Sequence, residues 1–158
     1  MKVHVKHALK ADADTVFKLC TEQKHQEAIY AKLGGTDLKV KRDGRAPNVK
    51  LAISRREPAN PPAALARFVP AVNDVSHTEQ WAADGDGYSA KLAVDIKGVP
   101  VKISGVKSIQ PAKGGCTIEW TMDVTSGIPL LGGTIASFAG QEIEGKLQAE
   151  FKLLKAMA

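Results

Sequence analysis

The feature that most limits what this chain can become lies at its end. Ile135, Phe138, Ala139, Ile143, Leu147, Phe151 and Leu154 recur at steps of three and four residues, laying one apolar stripe along a helix. Glu142, Glu144, Lys146, Gln148, Glu150 and Lys152 take the other face. Counted from Pro129, such a helix has roughly 25 residues and reaches about 35–40 Å at 1.5 Å per residue. That is the breadth of a whole antiparallel sheet, and a sheet is what such a stripe covers.

The rest of the sequence supplies one. Val3, Val5, His7 and Leu9 alternate with His4, Lys6 and Ala8, the period of a half-buried strand. Two short helices are expected next. "ADADTVFKLC" offers Asp12 or Asp14 as an N-cap ahead of Val16, Phe17, Leu19 and Cys20, and "EQKHQEAIYAKLGG" stops at Gly34-Gly35. From residue 36 the period is two. "DLKVKRDG" and "NVKLAISRR" predict a hairpin turning at Asp43-Gly44. The proline-rich "EPANPPAALARFVPAV" then interrupts the sheet, with one short helix expected over Ala63–Val69. Four more strands follow at about 73–83, 87–96, 99–110 and 115–125, parted by glycine-bearing turns.

Composition narrows the class. A chain of 158 residues, 44% hydrophobic, suits one domain over 1–158 with its own core. No window is apolar for the roughly 18 residues a spanning helix needs, so no integral membrane association is expected. "MKVHVKHALKAD" places charge inside every apolar run and does not read as a signal peptide, which makes the expected location cytoplasmic. The net charge of +5 is not clustered, and aromatic residues are only 5%, which argues against nucleic-acid binding. Cys20 and Cys116 lack ligand spacing and read as buried reduced thiols. The histidines at 4, 7, 25 and 77 show no zinc spacing either, so no metal and no cofactor are expected. Dinucleotide fingerprint, P-loop lysine and nucleophile elbow are all absent.

One strand, two short helices, six antiparallel strands and one long helix make an α+β chain. This order resembles the helix-grip fold of the START and polyketide-cyclase (SRPBCC) superfamily, a seven-stranded antiparallel sheet wrapped around a long C-terminal helix. "ADADTVFKLCTEQ", "AKLGG" and "GIPLLGGTIASFAGQEIEGKLQAEFKLLKA" are similar to a bacterial branch of it, the domain of unknown function 2505. The resemblance covers essentially the whole chain. It implies a cavity between sheet and helix, usually for a lipid, sterol or other apolar molecule, and it carries no catalytic motif.

Alternation points several polar residues toward that cavity: His7, Arg55, His77, Glu79 and Lys107. The i, i+2 spacing of His77 and Glu79 puts both on one strand face, where they can hold a ligand hydroxyl or carbonyl. With Tyr88 they are also the candidate acid–base residues of a cyclase or aromatase. A bulge or a strand end would put the same residues at a solvated rim instead. The expected ligand-binding set joins His7, Arg55, His77 and Glu79 to Leu51, Ile53, Trp81, Leu92, Val94, Ile103, Trp120 and Met122. Phe68 joins it from the proline-rich loop, and Ile135 and Phe138 from the final helix.

That loop, 57–71, reads either as a mobile gate or as a rigid connection. The nearly uncharged "TSGIPLLGGTIASFAG" at 125–140 reads as the hinge and first turn of the long helix. Ile128, Leu130 and Leu131 are expected to anchor it in the core, with Gly140 near the ligand. The leading functional reading is a non-catalytic binder or carrier of a hydrophobic, lipid-like, sterol-like or polyketide-like molecule. The alternatives are a cyclase-type enzyme using the same cavity and an interaction module with a closed core; a transient membrane or protein contact fits either end of this range.

Overall fold

A computed structural model describes all of residues 1–158. Strand β1 (Lys2–Leu9) leads into helices α1 (Ala13–Thr21) and α2 (Gln23–Lys32). Strands β2 (Thr36–Arg45), β3 (Asn48–Pro58), β4 (Val72–Asp84), β5 (Gly87–Ile96), β6 (Lys102–Ala112) and β7 (Gly115–Thr125) follow, and helix α3 (Gly132–Met157) closes the chain. Asp12, not Asp14, caps α1: its carboxylate accepts the Thr15 amide at 2.7 Å. Helix α2 ends where Gly34 takes a φ of +93°, which costs a glycine little.

All seven strands form one antiparallel sheet in the order β1-β7-β6-β5-β4-β3-β2. The first strand therefore lies beside the last, and every other neighbour is a hairpin. One face of this sheet grips the helices. Helix α3, 26 residues and thus about 39 Å long, packs on β1 and β7, α1 packs on β5 to β7, and α2 packs on β2. The chain has the helix-grip architecture. Its main core joins the inward positions of the strands to Val16, Phe17 and Cys20 of α1, Ile29 and Tyr30 of α2, and Phe151 and Leu154 of α3. At 25 cal/mol per Å² of apolar surface, each such large side chain contributes about 1.5–3 kcal/mol.

The structure corrects several local expectations. The β2–β3 register pairs Gly44 with Val49 and Arg45 with Asn48, so the hairpin turns at Ala46-Pro47 rather than at Asp43-Gly44. Gly44 is instead needed in the ladder: its φ is +87°, and a Cβ there would strike the Asn48 carbonyl. Strand β6 starts at Lys102, past Pro100, whose carbonyl accepts the Ser126 hydroxyl at 2.6 Å. The expected helix over Ala63–Val69 is a single 3-10 turn, Ala63–Leu65.

The loop before α3 also differs. Ile128 and Leu131 pack inward, but Leu130, at a φ of +65°, turns its side chain fully into solvent. It anchors nothing in the core. Gly140 meets the Met1 side chain, where a Cβ would collide, so close packing explains this glycine and ligand contact does not. No helix is long and apolar enough to cross a membrane.

Candidate functional site

Helix α3 lies toward the β1–β7 side and α2 toward β2, which leaves a space over the middle strands. This space is a cavity of about 100 Å³. Ten of its seventeen lining residues are hydrophobic. Leu92, Val94 and Ile96 of β5, Trp120 and Met122 of β7, Val75 of β4, Leu33 after α2, and Ile143 and Leu147 of α3 form its apolar wall. Ile143 and Leu147 explain a break in the helical stripe. The stripe is buried at both ends, by Ile135 and by Phe151 and Leu154, but these two middle residues stay half-buried because they face the cavity.

The polar residues form two linked groups. On β4, Glu79 accepts a hydrogen bond from the Trp81 indole at 3.0 Å through Oε1, while its Oε2 lies 3.0 Å from His77 Nε2. His77 Nδ1 lies 2.7 Å from Nη1 of Arg55. A guanidinium only donates, so Nδ1 is the acceptor and Nε2 carries the proton that goes to Glu79; the network assigns this tautomer. Arg55 also pairs with Glu57, two residues on along β3, and Glu57 pairs with Lys146 of α3. The guanidinium sits over the Tyr30 ring at 4.5 Å, and the Tyr30 hydroxyl is 3.4 Å from His77 Nε2.

The second group is deeper. Lys107 of β6, fully buried, donates to Glu150 Oε1 of α3 at 2.8 Å, with its ammonium 5.3 Å from the Trp120 ring centre and 5.8 Å from that of Trp81. Burial alone would discharge this lysine. The carboxylates of Glu150 and Glu79 beside it reverse that and hold its pKa above the ordinary value. Burial likewise opposes the charge on Glu79, yet Lys107 and the His77 hydrogen bond bring its carboxyl down to about 2. Glu57 is also lowered: Arg55 and Lys146 outweigh its burial. Burial pushes the Tyr30 phenol well above its ordinary value and the Cys20 thiol up to about 12, so both stay neutral and the thiol is no nucleophile.

Of the residues the sequence nominates, Arg55, His77, Glu79, Leu92, Val94, Trp120 and Met122 come together around the cavity. The other eight lie elsewhere, because alternation assigns a sheet face but not which part of it the helices cover. Leu51, Ile53 and Ile103 are packed solid in the main core, and Trp81 lies beyond the floor, edge-on to Phe17. His7 bonds Gln148 at 2.6 Å and meets Phe151, under α3. Phe68, Ile135 and Phe138 belong to a separate small cluster with Leu65, Val69 and Val99. That cluster packs the proline-rich loop against the start of α3. Tyr88 stacks on Phe17 and donates to Asp14 at 2.5 Å, away from His77 and Glu79, which removes it as a catalytic candidate.

Sequence reasoning passed over Tyr30, Glu57, Lys146 and Glu150, and nominated Lys107 only by parity. Glu57 had a readable signal, since it continues the inward alternation of Val49, Leu51, Ile53 and Arg55. Lys146 and Glu150 had one too: Lys146 stands three residues after Ile143, and Glu150 three after Leu147 and four before Leu154, so both lie on the stripe's own face and not on the solvated one to which their charge assigned them. Among His, Cys, Asp and Glu side chains, no group of three is arranged to hold a metal ion.

The family model described as "Protein of unknown function (DUF2505)" matches residues 4–157. The chain is a DUF2505 protein. Several solved structures share the fold of this DUF2505 chain at low identity. A protein of Thermus thermophilus is 15% identical, with a TM-score of 0.68 over 99% of this chain and 95% of its own. Ara h 8.0201 is 13% identical, with a TM-score of 0.65 over 99% and 96%. A norcoclaurine synthase of Thalictrum flavum, crystallised as a point mutant with a transition-state analogue, is 14% identical, with a TM-score of 0.61 over 99% and 92%. These likenesses carry the helix-grip fold expected of the START and polyketide-cyclase superfamily. A comparison with curated proteins found no match.

Proposed function

We propose that this DUF2505 chain binds a compact, largely apolar small molecule in the cavity between its sheet and α3. The observation that carries the reading is an apolar wall of β5, β7 and α3 set against a polar patch whose charged groups already have partners. At roughly 10–15 Å³ for each water-sized position, 100 Å³ accommodates about seven to ten such positions. That suits a one- or two-ring molecule better than an extended acyl chain or a sterol. Burying the ligand's apolar surface supplies affinity, and the polar patch orients it.

The same geometry weighs against proton transfer. A general base needs a free lone pair within reach of substrate. His77 has none, since Arg55 occupies Nδ1 and Nε2 carries a proton aimed at Glu79. Glu79 has both oxygens engaged and a carboxyl at about 2, too acidic to accept a proton near neutrality. The norcoclaurine synthase shows that the fold serves an enzyme elsewhere; the saturated pair here favours binding.

Titration with N-phenyl-1-naphthylamine, a neutral fluorophore made of a two-ring naphthalene carrying a phenylamino group, tests the reading. The fluorophore is expected to bind at one site and to be lost when Leu92→Trp fills the cavity in a protein that still melts cooperatively. Binding unchanged by Leu92→Trp, or no binding at all, sinks it.

A further inference from the structure

The balance of donors and acceptors in the cavity specifies the ligand further than its shape does, and this step rests on the reading just given. Three cations line the cavity, Arg55, Lys107 and Lys146, against three carboxylates, Glu57, Glu79 and Glu150. Each cation is matched: Arg55 and Lys146 share Glu57, and Lys107 holds Glu150. A ligand carboxylate would put a fourth anion among three neutralised ones, in a space whose deep end is closed to water. A ligand cation would be a fourth positive charge among three matched ones, with Glu150 Oε2 as the single open carboxylate oxygen. Arg55 and Lys146 occupy the two oxygens of Glu57, and His77 and Trp81 those of Glu79.

What remains open is mostly donor capacity. Lys107 has three N–H groups; Glu150 Oε1 takes one and the Cys20 sulfur a second, so one N–H is left for the cavity and the indole faces. The Tyr30 hydroxyl lies 3.4 Å from a His77 nitrogen that already carries its proton, so its own O–H has no acceptor there and can turn to the cavity. Among the carboxylate oxygens only Glu150 Oε2 is without a partner. We infer that the site selects an uncharged ligand bearing a hydrogen-bond acceptor, a carbonyl or hydroxyl oxygen on a compact apolar body, received by Tyr30 and Lys107.

Four two-ring compounds matched in body test this by displacement of N-phenyl-1-naphthylamine from the intact chain: 2-acetylnaphthalene, 2-naphthoate, 2-naphthylmethylammonium and naphthalene. The ketone is expected to bind at least about tenfold more tightly than either ion and several-fold more tightly than the hydrocarbon. In Tyr30→Phe, which keeps the ring under Arg55, the ketone's advantage over naphthalene should shrink while naphthalene's own affinity holds. Either ion binding as well as the ketone overturns the inference, as does a ketone no better than naphthalene. Those outcomes leave a cavity that binds apolar bodies. If none of the four displaces the fluorophore, naphthalene included, the proposed function itself falls and this inference with it.

Discussion

Two ion pairs join α3 to the sheet, and they are built in opposite senses. Deep in the cavity the sheet supplies the cation and the helix the anion, Lys107 with Glu150, their side chains 1% and 5% exposed. One helical turn earlier the helix supplies the cation and the sheet the anion, Lys146 with Glu57, and the Lys146 side chain is 40% exposed. Residues 146 and 150 are i and i+4, so both fall on one side of α3 and look into the same cavity. The reversed polarity fixes the helix's register along the sheet. A slide of one turn would set Lys146 toward Lys107 or Glu150 toward Glu57. The difference in burial gives the pairs different jobs: the deep one is a structural commitment, the outer one a contact that water can replace.

The largest consequence is at the deep pair. Lys107→Met leaves Glu150 buried without its partner and strips Glu79 of the cation that most favours its charge, and should cost about 3–5 kcal/mol in chemical denaturation. Replacing both, Lys107→Met with Glu150→Leu, removes the stranded charge and should recover most of that loss. A double variant no more stable than the single one would show that the pair, rather than the stranded charge, holds the helix in place.

Acid comes next. The Glu79 carboxyl is held at about 2 against an ordinary 4.5. A depressed folded pKa means the ionised form is what the fold stabilises. The contribution is therefore complete above pH 4.5, drains as pH falls toward 2, and amounts to about 3 kcal/mol. Glu57, also lowered, adds in the same direction. Denaturation midpoints from pH 6 to pH 2.5 should fall steeply in the native chain and less steeply in Glu79→Gln. Equal slopes in the two proteins would place the acid sensitivity elsewhere.

These two regions also mark how far the sequence could be read. The strands, the two short helices and the gripped helix were legible because each carries one period over many residues, as in the alternation from Cys116 to Val124. Eight cavity residues on the strands, Lys107 among them, were legible by the same parity. What parity could not say is where on the face the helices leave a gap, so Leu51 and Ile103, on the correct face, lie in solid core. The polar half of α3 was misread for a further reason. Lys146 and Glu150 hold stripe positions, three residues after Ile143 and Leu147, and their charge hid this; what lets them face inward is the partner each meets on the sheet, Glu57 and Lys107, which no helical period announces. Tyr30 was hidden because α2 has a weak apolar face, buried through Gln26, Ile29 and Tyr30.

The outer pair gives the finest test of the contrast. Lys146 reaches Glu57 across the half-exposed edge of the cavity, beside Leu33, Ile96 and Ile143. Water already solvates much of its ammonium, and Glu57 keeps Arg55 when Lys146 is gone. Lys146→Met should therefore cost less than about 1 kcal/mol, and raising the salt from 0.05 to 0.5 M should narrow even that difference, by an amount on the order of the pair's own small worth. The variant should instead change kinetics. With the bridge across the cavity edge removed, stopped-flow mixing with N-phenyl-1-naphthylamine should show association and dissociation both faster, with the equilibrium affinity nearly unchanged. A loss as large as that of Lys107→Met would mean that the outer lysine is buried in solution. Unchanged rates would mean that the ligand enters by another route, and the two ion pairs would then differ in depth but not in role.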